Sequence, residues 1–213
     1  MGAAHLGGVI QHDVAPSNGC ATACFSDCPT CRRLRKAAVA VAIRHGVTAA
    51  TSEAIAERAE VPLERAVQHY PAAEDCLSAA YDEGALLVRR IFVRTLRGRG
   101  LWQKRLRAAA DAAVEEFTTQ PELARFCLVE AWRSDLPMLC ASRLADRERL
   151  VAILAEESGV GDEDLPDLRF EILVGAAHHM VSEEIQANGG PRSVHERLDQ
   201  VIDMFEPVRD PAV

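Results

Sequence analysis

Apolar residues recur along this chain with the period of a helix, and Pro, Gly and capping residues cut the recurrence into segments. Leu34, Ala37, Ala38 and Val41 share one face of a first helix. Pro29 suits its first position, with Asp27 or Cys28 near the cap, and Gly46 stops it. Thr51 is placed to cap a second helix, with Glu53 in its first turn and Ile55, Ala56 and Ala59 inward. That helix ends near Glu60 and Val61. Pro62 opens a third, which must stop before Pro71. Two short helices joined by a tight turn and leaning on a longer first one make a helix-turn-helix pattern.

From Glu74 the segments lengthen. The pattern predicts helices over about 74–97, 101–118, 121–133, 137–158, 167–188 and 193–206. Gly98 and Gly100, Pro121, Pro137, the acidic stretch "GVGDEDLPD" and Asn188 to Pro191 punctuate them. No period-two alternation persists and no repeat is visible. The chain is therefore expected to be all-α: an N-terminal three-helix helix-turn-helix domain followed by a larger helical domain. Residues 1–28 are expected to be an irregular arm whose cysteine cluster continues to Cys31. Residues 29–73 form the helix-turn-helix, 74–208 the larger domain and 209–213 a tail.

Composition agrees. Aromatics are only 5% of the 213 residues, while alanine and arginine, good helix formers, abound. No segment reaches the roughly 18 uninterrupted apolar residues of a membrane span, and the first residues lack a basic leader. The expectation is a cytoplasmic protein without a membrane partner, in a compartment that keeps thiols reduced.

Net charge is -8, which excludes a broadly basic nucleic-acid coat, but it is unevenly spread. Residues 85–110 hold eight basic side chains and no acid, whereas residues 111–213 hold nine basic and twenty-two acidic ones. The expected arrangement lays the run from Arg89 to Arg107 against the acidic later helices. An added anionic contact is the alternative.

Four of the seven cysteines fall within "CATACFSDCPTC", directly before a basic "RRLRK" run. Cys20, Cys24, Cys28 and Cys31 are candidate metal ligands, because thiolates are soft, charged donors. The last three have the C-x3-C-x2-C spacing of radical-SAM enzymes, which hold a four-iron cluster. The chain has no βα units for that barrel, so the enzyme class is set aside while the local chemistry stands. An iron–sulfur cluster, tetrahedral zinc, a redox switch that pairs thiols, and four plain cysteines in an arm all remain open. His5 and His12 are further potential ligands. The cluster abuts the first helix, so occupancy there is expected to modulate the domain behind it.

The segment "RKAAVAVAIRHGVTAATSEAIAERAEVPLERAVQHYPAAEDCLSAAYDEG" resembles the N-terminal domain of TetR-family transcriptional regulators. Gly46, Thr51, Ile55, Ala56, Ala59, Val61, Tyr70, Glu74 and Leu77 carry the likeness. It extends more weakly to residue 208, where "ILVGAAHHMVSEEI" and "HERLDQVIDMF" are similar to the last two long helices, which pair across a homodimer in that family. Departures are plain: Glu60 stands at the family's turn Gly, Val67 at its recognition-helix Tyr, and Ala73 at its usual Lys. The resemblance implies a homodimeric repressor that occupies a palindromic double-stranded DNA operator and is released by a small-molecule effector. DNA would be met by Arg32, Arg33, Thr51, Ser52, Pro62, Leu63, Arg65, Gln68, His69 and Tyr70. Among these, Arg can read guanine and Gln adenine in the major groove.

The resemblance also implies an effector pocket between the later helices. Its candidate lining is Trp102, Phe117, Phe126, Trp132, Met138, Phe170, His178 and Met180, all of which also suit a plain core. His178-His179 faces either a ligand or the dimer partner. Cys76, Cys127 and Cys140 read as buried small hydrophobes. No Gly-rich phosphate loop, nucleophile elbow or metalloprotease motif is present, so no enzyme is expected. A metal- or redox-sensing regulator that signals through the cysteines, and a protein-interaction module with a degenerate helix-turn-helix, are the competing functions.

Overall fold

Proline or threonine marks seven of the nine helix starts in the computed structural model, which describes residues 28–158 and 166–205. Among these residues there are nine α-helices and no strand. α1 spans Pro29–His45, with Cys28 at its N-cap. α2 (Ser52–Ala59) follows a 3-10 turn and is capped by Thr51, whose hydroxyl accepts from the Ala54 N–H at 3.2 Å. α3 (Leu63–His69) is short. α4 (Ala73–Leu96) and α5 (Trp102–Thr119) are long, and α6 (Pro121–Arg125) is brief. α7 (Pro137–Ser158), α8 (Pro166–Gln186) and α9 (Pro191–Met204) complete the bundle.

One expected helix divides. Residues 121–133 run through α6, then a π turn at Phe126–Glu130, then a 3-10 turn at Ala131–Arg133. Phe126, Cys127 and Val129 of the π turn are all buried. Beside it, α4 comes very close. A Cβ on Gly84 would lie 2.6 Å from the Cys127 sulfur, so any larger residue there must displace that side chain.

Two apolar clusters are buried. The first unites Leu34, Ala38, Ile55, Ala56, Ala59, Ala66 and Tyr70 of α1 to α3 with Cys76, Leu77, Ala80 and Tyr81 on the first half of α4. Phe126 and Leu139 close it from the far side. Glu74 at the start of α4 accepts from the Met138 N–H at 2.6 Å, so the starts of α4 and α7 are joined. The second cluster gathers Leu96, Trp102, Leu106, Leu154, Phe170, Leu173 and Val201 from α4, α5, α7, α8 and α9.

The basic run lies as expected against the acidic helices. Arg89 pairs with Asp146, Arg97 with Glu157 at 2.9 Å, and Arg107 with Asp203 and with Asp199 at 3.3 Å. Pairs of this kind that are open to solvent contribute little individually, and here they lie along the seams where α4 and α5 meet α7 and α9.

Candidate functional site

The turn between α2 and α3 is built on an unusual residue. Glu60 adopts φ 53° and ψ 46°, the left-handed conformation that glycine adopts without strain. Arg33 of α1 supports this turn, donating to the carbonyls of Ala59 at 2.5 Å and Glu60 at 2.8 Å. The departure from Gly seen in the sequence therefore leaves the turn's shape intact.

α3 is anchored at its far end. The Arg35 guanidinium donates to the Tyr70 hydroxyl at 3.0 Å and to Glu83 of α4 at 2.6 Å. Burial alone would lower the Arg35 pKa, but the bonds to Tyr70 and Glu83 more than offset it, and the group is held firmly cationic. Burial pushes the Tyr70 phenol up, so it stays neutral. Ala66 faces the core. Pro62, Leu63, Glu64, Arg65, Val67 and Gln68 are exposed, so one whole face of α3 is open.

Against that frame, the ten expected DNA contacts separate. Arg32, Thr51, Pro62, Leu63, Arg65 and Gln68 lie at the surface, and Ser52 is half-buried next to them. Arg33 is exposed but spends its Nη2 on the α2 carbonyls. Tyr70 lies elsewhere: it is 7% exposed and belongs to the first core, where its hydroxyl serves Arg35 rather than a backbone phosphate. His69 also turns from the open face. Its Nδ1 is 3.2 Å from the Cys31 sulfur on α1.

That contact is part of a group. The sulfurs of Cys28 and Cys31 and a ring nitrogen of His69 all lie within 4.8 Å of one another, a set that could hold a metal ion. Two members are among the four cysteines singled out from the sequence. Cys20 and Cys24 lie outside the described residues. Elsewhere, burial pushes the Cys76 thiol up to about 12 and raises that of Cys127 as well.

The larger helices enclose a cavity of about 280 Å³. Of the eight candidate lining residues, Phe117, Trp132 and His178 border it, whereas Trp102, Phe126, Met138, Phe170 and Met180 do not. Trp102 and Phe170 instead pack edge-to-face at 6.1 Å in the second core, and Phe126 is fully buried in the first. The wall is otherwise apolar, from Val88, Phe92, Val114 and Leu150. Its polar end is compact. His178 stacks on Trp132 at 3.9 Å between ring centroids, and the Arg143 guanidinium lies 5.3 Å over the Trp132 ring. Burial lowers the His178 pKa to about 4, and His179 and Arg143 add to this, so the imidazole is neutral. Asp146, paired with Arg89, completes that end. Arg143 and Asp146 escaped sequence reasoning. Their signal was a pair of polar residues three apart on the inward face of α7.

No family model matches the chain, and no curated protein matches it. Solved structures do. The fatty acid degradation regulator FadR from Bacillus halodurans superposes with a TM-score of 0.68 at 16% identity, covering 84% of this chain and 98% of its own. A TetR-like transcriptional regulator from Rhodococcus sp. RHA1 gives 0.65 at 16% identity, covering 81% and 93%. A complex of SmeT with triclosan gives 0.66 at 20% identity, covering 86% and 98%. SmeT is the repressor of the Stenotrophomonas maltophilia multidrug efflux pump SmeDEF. The chain thus has the fold of TetR-like transcriptional regulators, over nearly the whole of each of these relatives.

Proposed function

We propose that the protein is a DNA-binding transcriptional regulator, acting as a homodimeric repressor whose hold on its operator is set by a small apolar effector. The observation that carries this reading is α3. It is backed on one side by α1 through Tyr70, Ala66 and His69, and its other side presents Arg65 and Gln68 to solvent. A short rigid helix with an open polar face is what major-groove reading requires. Residues 29–73 would be the reading head and 74–208 the effector and dimerisation part.

Two features support the second half of the reading. α8 carries Leu168 and Ile172 on an outer face at 48% and 53% exposure, and Gly175 beside them has open space over its Cα. An apolar stripe interrupted by glycine suits close packing against the same helix of a second copy, and a twofold dimer matches a palindrome. The cavity suits an apolar molecule with one polar end that meets His178 or Arg143. SmeT has been seen with triclosan, and the multidrug binding protein EbrR with imidazole. Filling the cavity between α4, α5, α7 and α8 would shift the end of α4 and with it the reading heads.

The competing reading, a metal-responsive regulator signalling through the amino-terminal cysteines, is favoured by one observation: the convergence of Cys28, Cys31 and His69. DNA upstream of the protein's own gene, titrated across salt concentrations, tests the common claim. Saturable binding at two protomers per site that weakens as salt rises is expected. Affinity no greater than for random duplex of equal length would contradict it.

A further inference from the structure

The sequence places Cys28 and Cys31 at the two ends of one helical turn. Cys28 is the N-cap of α1 and its carbonyl accepts from the Arg32 N–H at 3.0 Å, so the turn is formed and both residues are fixed to it. Cys31 is 2% exposed and part of the first core. The third donor comes from 38 residues further on, at the last position of α3.

Around a tetrahedral zinc ion with Zn–S of about 2.3 Å and Zn–N of about 2.0–2.1 Å, sulfur and nitrogen donors sit roughly 3.6 Å apart and two sulfurs roughly 3.8 Å. Here the sulfur–nitrogen distance is 3.2 Å, and no pair exceeds 4.8 Å. Changing the pair distances by about an ångström or less brings the three to coordination distance. The two cysteines stand at the start of α1, where the helix dipole favours anionic groups. Two thiolates and an imidazole form a set that suits zinc and other borderline-soft divalent ions, and not magnesium or calcium.

We propose that Cys28, Cys31 and His69 bind one zinc-class ion that clamps the end of the recognition helix to the start of α1. Binding displaces the two thiol protons to solvent and takes the lone pair of one imidazole nitrogen, leaving the fourth position for water or another donor. The clamp acts beside the Tyr70–Arg35 bond, one residue on, so the ion sets how firmly α3 is held against its support. Chelation therefore releases the helix end and weakens DNA binding. This coupling rests on the DNA-binding reading given above. The metal site itself does not.

The full chain, purified under reducing conditions without added metal, is titrated with zinc against a chromophoric chelator, and with cobalt while visible absorbance is followed. One equivalent should bind, and cobalt should give thiolate-to-metal charge transfer with tetrahedral d–d bands. Cys28→Ser and His69→Gln should each weaken zinc by at least roughly 100-fold, the upper end of what even outer-shell partners are worth. Both side chains are only half-buried, and circular dichroism of the metal-free variants confirms that they fold. Cys140→Ser, whose sulfur meets Ser134 and Arg143 and is not one of the three donors, should change nothing. Absence of stoichiometric binding overturns the site. So does a thiol-held metal or iron–sulfur cluster that is indifferent to His69→Gln, because that would place the ligands among the cysteines alone. With the site established, chelation should lower affinity for a duplex the protein binds by at least about tenfold. Unchanged affinity overturns the clamp, while a protein that binds zinc but no duplex refutes the DNA reading and leaves the site standing.

Discussion

Arg35 of α1 and Tyr70 at the end of α3 share a hydrogen bond of 3.0 Å inside the first core, with Glu83 of α4 on the other side of the guanidinium. Three helices meet at one cation. Tyr70→Phe keeps the ring's packing and removes the acceptor, leaving a buried donor short of a partner. The cost should be about 1–3 kcal/mol of stability by thermal or urea unfolding. DNA affinity should fall alongside. A variant with unaltered stability would show that this bond does not hold the helix.

Glu60 makes the opposite case. Its left-handed backbone costs any side chain free energy that glycine does not spend. Glu60→Gly should therefore stabilise the protein, by roughly 0.5–1 kcal/mol after the added flexibility of the unfolded chain is counted. The change leaves the open face of α3 as it is, so DNA affinity should hold. A lower melting temperature would mean that the Glu60 side chain makes compensating contacts.

The proposed dimer is tested at Ile172. Replacing it by Asp places a charge in the middle of the α8 stripe without touching the second core. Light scattering should then report one chain of 23.2 kDa instead of two. A dimer that survives would move the interface elsewhere.

His178 predicts a pH dependence. Its pKa in the folded chain is lowered to about 4 by burial, against about 6.5 when exposed. Between those values the unfolded chain binds a proton that the folded chain refuses, so stability rises with pH there. Stability should be complete above about pH 6.5 and be lost progressively as pH falls towards 4, by on the order of 3 kcal/mol. His178→Gln should flatten that part of the profile. An unchanged profile would mean that the imidazole is better hydrated than its stacking on Trp132 implies.

Much of this was legible in the sequence because the helix ends are marked by chemistry that acts locally. Pro29, Thr51, Pro62, Pro121, Pro137 and Pro191 each begin a helix or sit at its cap, within a residue or two of the expected place. The π turn at 126–130 was not legible, since a one-residue change of register leaves no mark on composition. Nor was the fate of His69 and Tyr70. In a seven-residue helix the last turn can face either the core or the solvent, and the period does not decide. Arg35 and Cys31 decide it, and both are more than thirty residues away. The cavity lining was legible at only three of eight positions for the same reason: Trp102 and Phe170 had the right character, but they pack against each other in the second core.

The central claim is that a twofold pair of α3 helices reads a duplex, and hydroxyl-radical footprinting tests it most directly. The duplex would be one selected from a random pool by the purified protein. The account predicts two protected half-sites related by a dyad, their centres about 10 base pairs apart or a multiple of that. Protection should disappear from both when Arg65 and Gln68 are changed to Ala in a protein whose melting temperature is unmoved. A single asymmetric protected tract, or a footprint indifferent to those two changes, would contradict it.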